Sequence, residues 1–213
     1  MEIINLVQGS EEWHEYRWGK IGGTSAESLM LKDFQTLKNK LLACHLEPFE
    51  MEEGFTSEAM QRGNELEPLA RQYISDYTGI EFLEYGWLQS DNELFGLSPD
   101  GLSECQEYSC EIKCPSKEVH TGYIVGDILP YFWQNVSYFA VNPKLKKHYF
   151  ISYRPESSIP AYIVELTRDS LVYRTKTIKE NIGESADKLK AKADLMLEQF
   201  NETKEELESG YMI

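Results

Sequence analysis

The stretch that most restricts what this chain can become is Ser98-Pro99-Asp100-Gly101-Leu102, followed by Glu111-Ile112-Lys113, with ten residues between Asp100 and Glu111. Side chains alternate between faces along a strand, so Glu111 and Lys113 share one face. Asp100, at the end of the preceding strand or in the turn beyond it, reaches the same place if the two segments are neighbours in a sheet. Two carboxylates and an amine then converge. Carboxylates holding a divalent cation bind and polarise a phosphodiester. Oxygen donors select Mg²⁺, or Mn²⁺ in its place, over zinc, which prefers His and Cys. Carboxylates on either side keep Lys113 protonated while burial opposes this, so its assigned role is to orient the attacking water rather than to act as a free base. The plain alternative is a simple turn at Asp100-Gly101 with Glu111 and Lys113 facing solvent on an edge strand. Two features favour the site: Cys114-Pro115 stops the strand abruptly, and an acidic helix upstream carries Glu67, a third candidate ligand.

The rest of the chain reads as helices around these strands. Ser10 is a good N-cap, and Glu11 and Glu12 suit the first turn of a short helix reaching Trp18. Gly22-Gly23-Thr24-Ser25 forms a turn into a second helix start, whose free backbone N–H groups can hold an anion; Arg17 is nearby. From Ser57 to Tyr77, apolar residues at Met60, Leu66, Leu69, Ala70, Tyr73, Ile74 and Tyr77 predict an amphipathic helix, kinked or restarted at Pro68 and stopped by Gly79. Tyr85 to Ser90, Leu94 to Ser98 and Tyr108 to Cys114 read as a three-stranded meander. An apolar helix opens at Asp127 and Pro130 and ends at Asn142-Pro143. Strands follow at Lys147 to Tyr153 and Ala161 to Leu166. A C-terminal helix at about 180–208 carries one apolar stripe, Ile182, Ala186, Leu189, Ala193, Met196 and Phe200, spaced to pack on its own domain.

The 213 residues fit a single domain, residues 1–213. The first residues lack a signal-peptide pattern and no stretch has the ~20 apolar residues of a membrane span, so the expected location is the cytoplasm. Four cysteines, Cys44, Cys105, Cys110 and Cys114, are compatible with a metal or iron–sulfur cluster; the reading preferred here is of free thiols, two of them flanking a buried strand. The formal net charge of −15 is the wrong sign for a protein that grips nucleic acid over its whole surface. It motivates a non-enzymatic alternative, an acidic mimic of DNA. For a nuclease, charge must be segregated, with Lys32, Lys38 and Lys40, then Lys144, Lys146, Lys147 and Arg154, as the candidate DNA path.

An ordered series of motifs carries a family resemblance over roughly two thirds of the chain, from Gln8 to Tyr153. It runs through Gln8-Gly9-Ser10 with Trp13-His14 and Arg17, Ile21-Gly22-Gly23-Thr24, Gly63-Asn64-Glu65-Leu66-Glu67-Pro68 with Ala70-Arg71, Ser98 to Leu102, Glu111 to Pro115, and Pro130-Tyr131-Phe132-Trp133-Gln134. The set resembles the lambda exonuclease and YqaJ-type viral recombinase nucleases, a branch of the PD-(D/E)xK superfamily. The resemblance implies an α/β (α+β) restriction-endonuclease-like core, a mixed central β-sheet flanked by helices. It implies a Mg²⁺-dependent exonuclease that degrades linear double-stranded DNA from a 5′-phosphorylated end for recombination, acting as a ring of three and alongside a single-strand annealing protein. A structure- or end-directed endonuclease is the neighbouring alternative. By position, Asp100 and Glu111 resemble the metal ligands, helped by the Ile112 carbonyl, Lys113 the catalytic lysine, and Glu67 the helix carboxylate at a second metal or its water. Arg17 and Thr24 match positions that bind the terminal 5′ phosphate. Ser98 and Gln134 fall in the same motifs and join the substrate-binding set, with Trp13 near the DNA end or anchoring the first helix, Lys117 as a phosphate contact, and His120 as a phosphate contact or a plain helix-surface histidine. One departure stands out: family members carry two glutamines one residue apart on the helix after the catalytic strand, whereas here Gln134 is followed by Asn135 and Val136.

Overall fold

Buried on both faces, a strand cannot alternate apolar and polar residues freely, and β5 (Tyr108–Lys113) is such a strand: Ser109 to Ile112 are all buried. The computed structural model describes residues 1–51 and 57–210. In chain order the elements are β1 (Glu2–Ile4), α1 (Glu11–Arg17), a 3₁₀ turn (Gly23–Ser25), α2 (Ala26–Leu29), α3 (Gln35–Leu46), α4 (Glu58–Thr78), β2 (Trp87–Gln89), β3 (Gly96–Leu97), β4 (Gly101–Leu102) and β5. They continue with α5 (Lys117–Val125), α6 (Phe132–Val141), β6 (Lys147–Tyr153), β7 (Ala161–Leu166), β8 (Leu171–Tyr173), β9 (Lys179–Asn181) and α7 (Ile182–Gly210). The central sheet has the order β4-β5-β6-β7, with β5 and β6 parallel and the outer pairs antiparallel. A three-stranded antiparallel sheet, β1-β2-β3, and the ribbon β8-β9 lie outside it.

Alternation along β5 and β6 sorts the two faces. Cys110, Ile112, Tyr149 and Ile151 pack with Ala70 and Ile74 of α4. The opposite face presents Ser109, Glu111, His148, Phe150 and Ser152 towards the side covered by α5 and α6. Of these five, all but Phe150 are polar and all are buried, so each polar group requires a partner. Behind α6 lies the larger core, where Ile182, Ala186, Leu189, Ala193, Met196 and Phe200 of α7 are buried against α2, α3 and α6. Each large side chain of that stripe contributes about 1.5–3 kcal/mol. The stripe packs on its own domain, as its spacing predicts.

Several expectations are met and others corrected. Ser57 caps α4 by accepting from the Met60 amide at 3.2 Å, and Gly79 closes it at φ 70°. The helix runs on through Pro68 without a restart. Its apolar periodicity overstates its buried face: Ala70 and Ile74 are buried, whereas Met60, Leu69 and Tyr77 are exposed. The expected meander breaks after its second strand. β2 and β3 pair in one sheet, and the chain crosses at Ser98-Pro99-Asp100 into the central sheet, where β4 pairs with β5. Pro99 has no N–H to continue a ladder, and Gly101 allows the close approach that follows, since a Cβ there would lie 2.5 Å from Cys110 Sγ. Lys146 and Lys147 lie at the far end of β5 from Lys113. Lys147 pairs with Tyr108 at the opposite end of β5, roughly 17 Å from Lys113 at ~3.3 Å per residue. Both lysines are already ion-paired, to Glu107 and Glu165.

Candidate active site

The register that joins Gly101 to Cys110 and Leu102 to Ser109 places Asp100 opposite Glu111. Asp100 Oδ2 accepts the Ile112 amide at 2.7 Å, which holds its carboxylate beside the strand that carries Glu111. Like charges directly opposite one another destabilise a strand pair. Burial, then the facing Glu111, push the Asp100 carboxyl well above the usual carboxylate range, with Lys113 pulling the other way. Such a pair calls for a cation. Lys113 supplies one charge through its contact with Glu111 Oε1. Burial alone would lower its pKa, but Glu111 and Asp100 more than offset this, so it stays an ammonium.

Glu111 is 1% exposed and is gripped from α6. Gln134 Nε2 donates to Oε1 at 2.6 Å and the Tyr138 hydroxyl donates to Oε2 at 2.8 Å. These two residues are four apart on one helical face. Val136, at the position of the family's second glutamine, is fully buried in the core. Tyr138 instead provides the second polar hold. Sequence reasoning missed it, although its spacing from Gln134 was the available signal.

Glu67 stands at the edge of this group. Arg71, one turn on, takes its carboxylate at 2.6 Å, reaches Glu84 at 3.0 Å and donates to the Asp100 carbonyl at 2.6 Å. Burial raises the Glu67 pKa, and Arg71 opposes that. Among the described residues no three His, Cys, Asp or Glu side chains form a ready-made metal cage. The donor set is therefore two facing carboxylates, Asp100 and Glu111, with Glu67 held aside. Asp100 Oδ1 accepts no hydrogen bond from a described residue, since the Ile112 amide goes to Oδ2. That set suits Mg²⁺, which keeps several waters and takes one or two protein carboxylates. Cys110 and Cys114 belong to the α4-side cluster, on the face of β5 away from Glu111, whereas Cys44 is on α3 and exposed Cys105 lies between β4 and β5.

The substrate-side residues gather beside this centre. Trp13 Nε1 donates to the Gly86 carbonyl at 2.8 Å and to Ser98 Oγ at 3.0 Å, which ties α1 to the strand entering the site. The Arg17 guanidinium lies 3.9 Å from the centre of the Trp13 ring. Burial lowers its pKa. A Cβ on Gly22 would meet Arg17 at 3.6 Å, and one on Gly23 would meet Gln134 at 3.5 Å. The turn thus bridges the arginine and the Glu111 contact. Thr24 and Gln134 line one cavity of about 550 Å³ with Tyr131 and Trp133. His120 does not join them: it is buried, with its ring nitrogens 2.7 Å from Ser152 Oγ and 2.8 Å from the Ile159 carbonyl, so it is neither a helix-surface residue nor a phosphate contact. Lys117 is exposed at the start of α5, 3.7 Å from Glu118.

The family model of the YqaJ-like viral recombinase domain matches residues 12–143, more than half of the chain and every residue of this centre. The chain belongs to that family. The solved structures it resembles include an alkaline exonuclease from Laribacter hongkongensis, with a TM-score of 0.75 and 26% identity over 94% of this chain and 97% of the other. The same exonuclease in complex with dAMP matches at a TM-score of 0.75 and 25% identity over the same shares, 94% and 97%. A phage related exonuclease from Haemophilus somnus 129PT shares the fold, with a TM-score of 0.58 and 15% identity over 88% of this chain and 96% of that one. No curated protein sequence matches the chain. In this YqaJ-like domain the mixed sheet flanked by helices is the one the motifs implied, and no described helix is long and apolar enough to cross a membrane.

Proposed function

We propose that residues 1–213 form one nuclease domain that degrades linear double-stranded DNA from a 5′-phosphorylated end during recombination, using Mg²⁺, with Mn²⁺ able to replace it. The observation that carries this reading is the facing of Asp100 and Glu111 with the Lys113 ammonium alongside. Asp100, Glu111 and the Ile112 carbonyl would hold the cation, which supplies Lewis-acid polarisation of the scissile phosphate. Gln134 and Tyr138 keep the Glu111 carboxylate in one orientation. Lys113 orients the attacking water by donating to it, and Glu67, held by Arg71, would serve a water or a second ion. Arg17, with no carboxylate partner among the described residues, receives the terminal phosphate beside Thr24 and Ser98, and Lys117 meets the backbone further out. The alkaline exonuclease likeness supports the same chemistry. A ring of three subunits, a single-strand annealing partner and a cytoplasmic location belong to the same proposal.

The test is a time course on end-labelled linear duplex bearing a 5′ phosphate or a 5′ hydroxyl, with and without Mg²⁺, alongside closed circles. Faster loss of the phosphorylated 5′ end, only with metal and not from circles, is expected. Equal cutting of circles would make the enzyme an endonuclease. Undiminished digestion by Lys113→Ala would refute the site.

A further inference from the structure

Tyr131, the residue in front of α6, has φ 50° and ψ 43°. This is the left-handed region, uncommon for a bulky side chain. Such conformations persist only where the surroundings over-determine them, and they gather at functional sites. Here the restraint is a buried polar chain. Asn135 Nδ2 donates to the Pro130 carbonyl at 2.8 Å and to the Tyr131 carbonyl at 3.0 Å. With both amide hydrogens used, Asn135 Oδ1 accepts from His148 Nε2 at 2.8 Å. That fixes the tautomer, so His148 Nδ1 accepts from Ser109 Oγ, also at 2.8 Å. Asn135, His148 and Ser109 are all fully buried.

The outcome of this restraint lies at the catalytic lysine. The Tyr131 ring leans on buried Phe150, with centroids 6.3 Å apart, and its own centroid is 4.9 Å from Lys113 Nζ. Nevertheless, the residue is 48% exposed, so burial does not explain the strained backbone. An ammonium has three N–H donors. One goes to Glu111, and the ring covers another side, which narrows the directions left for a water.

We propose that Tyr131 is a positioning residue for Lys113: its ring caps the ammonium, and the Asn135–His148 pair holds it there against its own backbone preference. The role rests on the nuclease reading above, and two readouts separate the fates of the two. The first is kcat and KM on phosphorylated duplex for wild type, Tyr131→Phe and Tyr131→Leu. The second is the ring-current shift of the Lys113 side chain in protein labelled with ¹³C-lysine, assigned by its loss in Lys113→Arg. Tyr131→Leu should lower kcat about threefold to thirtyfold, the range of a cation–π contact, at nearly constant KM, and abolish the shift. Tyr131→Phe should restore most of the rate and keep the shift. A raised KM at unchanged kcat in Tyr131→Leu would overturn the proposal in favour of a DNA contact. An identical Lys113 resonance in wild type and Tyr131→Leu would overturn it outright. Absent digestion by wild type would count against the nuclease reading alone, with the resonance still deciding whether the ring caps Lys113.

Discussion

Tyr138→Phe removes one oxygen atom from the centre and leaves the rest in place. The ring stays stacked on His148, 4.1 Å between centroids, so packing is preserved and only the hydroxyl is tested. That hydroxyl donates to Glu111 Oε2 at 2.8 Å and accepts the Asp100 amide at 3.4 Å, and thus touches both carboxylate-bearing residues. Burial, then Glu111, raise its pKa well above the usual tyrosine range, so it remains a neutral donor at any working pH. A hydrogen bond to a charged group is worth about 1.5–3 kcal/mol, and here its loss leaves Oε2 of a buried carboxylate without a donor. The metal-free variant should therefore lose about 1.5–3 kcal/mol in urea unfolding with the m-value unchanged. On phosphorylated duplex its kcat should fall by about tenfold or more, because Glu111 is then held from Oε1 alone. An unfolding midpoint and a kcat both equal to wild type would refute the idea that Tyr138 stands in for the second glutamine.

Three further outcomes follow from the same geometry. His148 is buried and neutral, its pKa pushed down to about 3 by burial. Because the unfolded chain takes up this proton near pH 6.5 and the folded chain only near pH 3, stability should be intact above pH 6.5 and decline as pH falls through that window, by at most roughly 5 kcal/mol; a His148→Asn variant should show a flatter urea-midpoint profile over the same range. Arg71→Leu should cost about 2–3 kcal/mol, since it leaves Glu67 and the Asp100 carbonyl without their donor, and calorimetric unfolding that matches wild type would deny Arg71 that function. Gly101→Ala should destabilise by about 1–3 kcal/mol through overpacking, its Cβ falling 2.5 Å from Cys110 Sγ and 3.0 Å from Phe82 Cβ. Adding Cys110→Ala should recover part of the loss, and strict additivity of the two changes would contradict the clash.

Much of this was legible because strand alternation and helix periodicity are local. The spacing of Asp100, Glu111 and Lys113 announced a shared face, and the stripe on α7 announced its packing side. What escaped depends on partners distant in sequence. Nothing local says that the chain changes sheets at Pro99, because both halves read equally well as strands. Met60, Leu69 and Tyr77 kept helical spacing yet lie on the exposed side of α4, since periodicity cannot tell how wide a face the neighbouring sheet covers. His120 looked like a surface residue because its partners, Ser152 and Ile159, come from β6 and the loop after it. Tyr138 and Arg71 were hidden differently. Each sits four residues from a recognised group, Gln134 and Glu67, and an i,i+4 reading would have found both.

The central claim is that Asp100 and Glu111 share one divalent cation. Mn²⁺ binding followed by electron paramagnetic resonance, on wild type, Asp100→Asn, Glu111→Gln and Glu67→Gln, addresses it without requiring turnover. Strong weakening in the first two variants, with a smaller change in Glu67→Gln, is the predicted pattern. Binding that survives unchanged in both Asp100→Asn and Glu111→Gln would contradict the account.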